Sequence, residues 1–222
     1  MNYPGKELEN FEKASIWRKY IYFLIKKYIK SKILEVGAGI GSFTKNYIKD
    51  EEDIVLTETD ESNLQYLKKR FQDKKIKIRN DFIVDIKDTY NTIMYLNVLE
   101  HIEDDKKEIE NALKKLNSNC YLIILVPAHN NLYSKFDKAV GHFRRYEMNF
   151  FKSLKLNNAK ITELYFLDCM GYFLYFLNKI FFKEEVYPSR TKILIWDKLF
   201  TPLTFFLDKV LRYKFGKNIM CI

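Results

Sequence analysis

Three of the seven glycines in this 222-residue chain stand at positions 37, 39 and 41, directly after the apolar run Lys32–Val36. Glycine weakens regular structure, so this cluster marks a backbone that needs left-handed angles or close approach by a ligand. Glu35 and Val36 precede the turn, and Ala38 and Ile40 alternate with its glycines. The spacing is GxGxG. Residue 42 is Ser, so the GxGxxG fingerprint of a dinucleotide site is not met, and no Gly-Lys-Ser/Thr follows as a phosphate loop requires. Glu58 closes a second apolar run 17 positions beyond Gly41, followed by Thr59 and Asp60. A carboxylate at a strand's carboxyl end can accept both hydroxyls of a ribose; Asp60 could share or replace that role. Asp81, with Phe82 beside it, follows a third run.

A second constellation lies at 127–146, where Asp137, His142, Arg144, Arg145 and Tyr146 crowd one stretch. Histidine exchanges a proton near neutral pH, which makes His142 a candidate general base for an acceptor hydroxyl. Asp137 would orient His142 or one of the arginines. Arg145, like Arg144, would position a phosphate or carboxylate of the acceptor. The competing reading is that these charges lock the loop in place. His101 is expected to cap or brace a helix at 103–116, and His129 receives no role. Neither the histidines nor Cys120, Cys169 and Cys221 show a ligand spacing, so no metal site and no disulfide framework is expected.

The elements that must position these residues alternate. Strands are expected at 32–36, 53–58, 75–79, 92–96 and 120–126, with helices at 41–49, 61–72 and 103–116. The strands read as nearly continuous Ile/Val/Leu runs, as in a parallel sheet covered on both faces. Strand–helix alternation with right-handed crossovers gives a doubly wound α/β sheet whose ligands bind at the carboxyl ends of the strands. A helix at 147–156, a strand at 160–167, an aromatic helical region at 168–215 and a terminal strand at 218–222 complete the chain. No linker divides it, so one domain over 1–222 is expected: a core at 31–126, an acceptor loop at 127–146 and a helical lid at 168–215.

The segment ILEVGAGIGSFT resembles motif I of class I S-adenosylmethionine (SAM)-dependent methyltransferases, in which an acid precedes GxGxG. YNTIMYLNVLEHIEDD, at 90–105, is similar to the fourth-strand segment of the type 11/12 group, with Asn91 where Asp is usual. The sequence also has Asn117-Ser118-Asn119 where that group has a Gly-Gly turn. The stretch Pro127–Tyr146 resembles a bacterial subgroup with a Gly-His-x-Arg-Arg-Tyr loop, whose members include proteins beside polysaccharide or lipid-modification enzymes. The resemblance implies a Rossmann-like seven-stranded sheet, mostly parallel with an antiparallel terminal strand. It implies SAM as cofactor and S-adenosylhomocysteine (SAH) as product. Glu35 would serve the methionine amino group, and Gly37, Ala38, Gly39 and Gly41 would frame the amino-acid and ribose portions. Glu58 and Thr59 would take the ribose, Asp81 and Phe82 the adenine, and Asn97 would complete the cofactor site.

Hydrophobic residues make up 47% of the chain and charged residues 30%, a globular balance that excludes wholesale disorder. The net charge of +9 would suit nucleic acid or an anionic surface, yet the lysines are spread over the whole sequence. No RNA-binding module is recognisable, so a nucleic-acid substrate is not expected. The start MNYPGKELENFEK is polar and not a signal peptide, and no apolar run reaches the ~20 residues of a membrane span. A cytoplasmic protein is expected. The aromatic segments at 171–177, 180–182 and 204–211 read either as a lid shaping the acceptor pocket or as a patch that docks peripherally on membrane lipid. The expected function is methyl transfer from SAM to oxygen on a small-molecule, saccharide or lipid-linked acceptor. The alternatives are a SAM-binding scaffold without turnover and an RNA methyltransferase.

Overall fold

The computed structural model describes residues 6–48, 53–181 and 186–222. Among these, seven strands form one sheet: β1 (Ile33–Val36), β2 (Ile54–Thr57), β3 (Ile76–Arg79), β4 (Tyr90–Leu96), β5 (Leu116–Pro127), β6 (Leu164–Leu167) and β7 (Asn218–Cys221). The helices are α1 (Lys6–Phe11), α2 (Ser15–Ile25), α3 (Glu61–Arg70), α4 (Asp105–Lys114), α5 (Lys135–Ala139), α6 (Met148–Lys152), α7 (Cys169–Phe181), α8 (Arg190–Ile195) and α9 (Thr201–Val210).

The strand order is β3-β2-β1-β4-β5-β7-β6. The first five strands pair in parallel, and β7 runs antiparallel to both β5 and β6. Strand residues point alternately to opposite faces. Leu34, Val55, Ile93 and Tyr95 therefore pack with Ile109 and Ala112 of α4 on one face. Ile33, Ile54, Leu56 and Met94 pack with Ile21 and Ile25 of α2 and Leu67 of α3 on the other. Burying each such aliphatic side chain contributes about 1.5–3 kcal/mol, and these two layers fix the height at which every strand ends.

Several elements differ from the sequence expectation. The described part of 41–49 is a series of turns with one 3-10 turn at Thr44–Asn46, not an α-helix. Thr44 and Tyr47 turn their hydroxyls inward to the Glu35 carboxylate, and Ser, Thr and Asn are weak helix formers. Strand β5 begins at Leu116 rather than 120, with a register shift opposite Tyr90–Thr92 and Asn119 in a left-handed conformation. The Asn91 amide oxygen holds that irregular edge by accepting from Asn117 Nδ2 at 2.8 Å. Helix α6 and strand β6 are shorter than expected. Helices α1 and α2 precede the sheet where no element was assigned.

The 168–215 region folds as α7, α8, a π-turn at Trp196–Phe200 and α9. Buried acids tie it to the N-terminal helices. Asp197 accepts from the Ile16 and Trp17 amides at 3.1 and 2.8 Å and so caps α2 from a distance. Asp208 accepts from the Tyr20 hydroxyl at 2.7 Å. The apolar run expected at 180–182 falls partly outside the described residues: position 182 is not described, nor are the side chains of 180 and 181.

Candidate active site at the carboxyl edge of the sheet

The glycine turn follows β1 directly, and Gly37, Gly39 and Gly41 all have positive φ (63°, 57° and 70°). Two of them are also sterically confined. A Cβ on Gly37 would lie 2.8 Å from Val98, and one on Gly41 would lie 2.5 Å from Phe71. Gly39 differs, since a Cβ there would meet only the Leu8 side chain of α1 at 3.4 Å. Its backbone therefore stays open to close approach, and its N–H donates to Glu58 Oε2 at 2.7 Å. The Asp60 N–H donates to Glu58 Oε1 at 2.9 Å. Glu58 is thus held at the carboxyl end of β2 with lone pairs to spare. Burial raises its pKa, opposed by backbone N–H groups of Asp60, Gly39 and Thr59.

The other expected cofactor residues continue this strip in strand order. After β3, Asp81 is half-buried with Arg79 Nη1 3.8 Å away, and Phe82 is 64% exposed, presenting an aromatic face at the sheet edge. Thr59 is exposed beside Glu58. Asn97 follows β4 in a left-handed conformation (φ 56°), and its N–H donates to the Leu125 carbonyl at 2.8 Å. The Ala38 N–H is spent on the Thr57 carbonyl at 2.9 Å. Glu35 is buried and accepts from Thr44 Oγ1 and the Tyr47 hydroxyl. Burial raises its pKa to about 7 despite those hydrogen bonds. The glycine cradle and the strand-end acids fit a SAM molecule laid along this edge.

The second cluster stands next to the strip, on the turn Leu99–His101 after β4 and the loop after α5. His142 Nδ1 lies 2.8 Å from Asp137 Oδ1, and His142 Nε2 lies 3.9 Å from Glu100 Oε1. Asp137 is fully buried and accepts from Arg145 Nε and Nη2 at 2.9 and 3.1 Å, and from the Ser134 N–H and hydroxyl at 2.9 Å each. Burial alone would raise the Asp137 pKa. The His142 hydrogen bond and the Arg145 charge outweigh it and hold the carboxyl well below its ordinary range.

Asp137 thus contacts His142 and Arg145 at once. Arg145 is corrected: it is 4% exposed, paired to Asp137 and stacked over Tyr175, so it braces the loop instead of facing an acceptor. Arg144 donates to Asp105 Oδ2 at 2.6 Å and ties the loop to α4. The capping role expected of His101 falls to another residue. Asp104 caps α4, while His101 meets His142 edge-to-face at 4.6 Å. Burial, and after it the His142 charge, lowers the His101 pKa to about 4. His129 stacks on Phe166 at 4.9 Å with Nε2 3.0 Å from the Gly216 carbonyl, a packing role.

Sequence reasoning gave Glu100 no role. It is 1% exposed inside this cluster, and burial raises its pKa to about 7. The signal available was its place in Leu99-Glu100-His101, at the carboxyl end of a central strand. Phe136 links the cluster to the surrounding walls, with its ring 6.2 Å from Phe11 of α1 and 6.3 Å from Tyr187.

Residues 34–122 match the family model described as a methyltransferase domain. No curated protein matches the sequence. Among solved structures, the chain is similar to an S-adenosylmethionine-dependent methyltransferase from Clostridium acetobutylicum ATCC 824, at 17% identity over 53% of this chain and 52% of that one, with a TM-score of 0.46. The chain thus spans about half the length of that protein. It is similar to magnesium protoporphyrin IX methyltransferase from Synechocystis PCC 6803, solved with bound SAM, at 14% identity, 72% and 74% coverage and a TM-score of 0.53. It is also similar to coclaurine N-methyltransferase bound to N-methylheliamine and SAH, at 12% identity, 93% and 70% coverage and a TM-score of 0.59. These last two share its fold. Residues 34–122 thus match a methyltransferase domain, set within a fold shared with two methyltransferase structures that hold SAM or SAH.

Proposed function

We propose that the chain transfers the methyl group of SAM to an oxygen of a small-molecule, saccharide or lipid-linked acceptor. The observation that carries this reading is the adjacency of two sites on one sheet edge. The strip formed by Gly37–Gly41, Glu58 and Asp81–Phe82 continues through Asn97 into the Glu100–His101–His142 group, in which Glu100 is buried and the histidines are half-buried. SAM, when bound, supplies a methyl group already activated by the sulfonium charge.

The chain's own residues bind, position and exclude water. Glu58 takes the ribose hydroxyls, Asp81 the adenine amine, and Phe82 lies against the adenine ring. His142 Nε2 takes the proton of the acceptor hydroxyl, while Asp137 keeps the proton of His142 on Nδ1. Because the nucleophile must be held in line at about 3 Å, placement supplies much of the rate. The walls that place it are Phe136, Phe11 and Tyr187.

The lid's outer face supports the lipid-linked option. Leu199, Leu203, Phe206 and Val210 recur at helical spacing and are 43–64% exposed, with Phe173, Phe176 and Leu177 exposed on α7. Among the described residues no helix is long and apolar enough to cross a membrane. An exposed apolar stripe flanked by Lys198, Lys209 and Arg212 suits adsorption at an anionic lipid surface.

Transfer of labelled methyl from SAM into fractionated extract tests the activity. Label in a lipid or saccharide fraction supports the proposal, and label confined to RNA refutes it. His142→Gln is expected to lower turnover at unchanged SAH affinity; unchanged turnover removes His142 as the proton acceptor. Flotation with phosphatidylglycerol vesicles tests the stripe. Phe206→Asp with Leu199→Asp should abolish co-flotation, and flotation that persists excludes this face.

A further inference from the structure

We infer that Glu100, His101 and His142 hold a divalent transition-metal ion of the zinc class, with a coordination position left for the acceptor oxygen. One ligand atom from each lies within 4.8 Å of the others. Ligands around tetrahedral zinc stand about 3.3 Å apart at the usual bond lengths, so Glu100 and His101 would close by up to about 1.5 Å onto a fixed His142. His142 Nε2 and Glu100 Oε1 already approach to 3.9 Å. The sequence hides the site, because two ligands are adjacent and the third lies some forty positions on.

Three further features fit a cation. Histidines that bind metal generally give their other ring N–H to a carboxylate or backbone carbonyl. His142 does so to Asp137 at 2.8 Å, and the His101 ring bonds the Gly141 backbone. Asp137 is in turn fixed by Arg145 and Ser134, so the His142 ring is locked before any ion arrives. Glu100 Oε2 is buried without a hydrogen-bond partner. A buried carboxylate oxygen left unpaired is costly, and a cation satisfies it directly.

Two histidines and a carboxylate are a ligand set that binds zinc with one position open. In that position the ion would polarise the acceptor oxygen and lower its pKa, so that its proton would leave to solvent, and His142 Nε2 would take that proton only in the ion-free protein. That consequence rests on the methyl-transfer reading, whereas the binding does not.

The test is titration of chelator-stripped protein with cobalt(II) chloride, followed by visible absorption, with zinc chloride displacing the cobalt. One equivalent is expected, with a spectrum of low-symmetry nitrogen/oxygen coordination. Glu100→Gln and His101→Gln should each weaken cobalt binding by at least about tenfold, with SAH affinity unchanged as proof of an intact fold. Wild-type protein that binds SAH but neither ion overturns the inference. Cobalt binding undiminished in both variants overturns it equally. SAH binding failing alongside intact cobalt binding would count against the methyl-transfer reading alone.

Discussion

Replacing Asp137 by Asn asks whether the loop cluster is held together as the geometry requires. The native carboxylate is fully buried and receives His142, both Arg145 contacts, and the Ser134 amide and hydroxyl. Asparagine keeps one acceptor oxygen and turns the other position into a donor, facing either Arg145 or Ser134. Arg145, 4% exposed, is then a buried cation without its counter-charge. Breaking a buried pair on one side costs about 3–5 kcal/mol, a large part of a total stability of about 5–15 kcal/mol. For a chain of this size the melting temperature should fall by roughly 6–20 °C. The assay is urea and thermal unfolding followed by far-UV circular dichroism. The double variant Asp137→Asn/Arg145→Met should recover part of the loss, because the stranded charge is gone. A single variant whose melting point moves by less than about 2 °C would refute the argument, since no buried cation could then have been abandoned.

Two more predictions follow from the glycine turn and from Glu35. Gly41→Ala adds a Cβ 2.5 Å from Phe71 and 2.7 Å from Leu67 at a left-handed φ of 70°. Backbone strain of about 1–2 kcal/mol and overpacking of about 1–3 kcal/mol act together. Gly39→Ala meets only Leu8 at 3.4 Å, so it should cost about 1–2 kcal/mol while lowering SAM affinity; chemical denaturation of both variants checks the order. Glu35 has a folded pKa raised to about 7 from 4.5, mainly by burial. The folded state therefore retains a proton that the unfolded chain releases, and stability falls as pH rises from 4.5 to 7. The slope sums to on the order of 3 kcal/mol. Glu35→Gln should lower the slope by that share in denaturation curves taken across the window, leaving the like contribution of Glu100, and an unchanged slope would assign the effect to another group.

Much of this site can be read from residue type and place. Glycines at 37, 39 and 41 announce left-handed backbone because the strand before them is continuous and apolar. Glu58 stands out because it ends an apolar run at a strand's carboxyl end. What escapes the sequence depends on contacts between distant segments. The helix expected at 41–49 gives way because a buried Glu35 draws in Thr44 and Tyr47. Glu100 looks like an ordinary turn acid until His142, from beyond the fifth strand, arrives 3.9 Å away. Arg145 reads as an anion clamp, yet Asp137 is its partner. The N-terminal helices have no local signal as strong as Asp197, which caps one of them from the turn at Trp196–Phe200.

Calorimetric titration with SAM and SAH decides whether the strip from Gly37 to Asp81 holds the cofactor. Folded wild-type protein should bind one equivalent of each. Glu58→Ala should weaken both by about 10- to 150-fold, the value of hydrogen bonds to a charged group of about 1.5–3 kcal/mol. Folded wild-type protein that binds neither ligand, or a Glu58→Ala variant that binds both as tightly, would contradict the account.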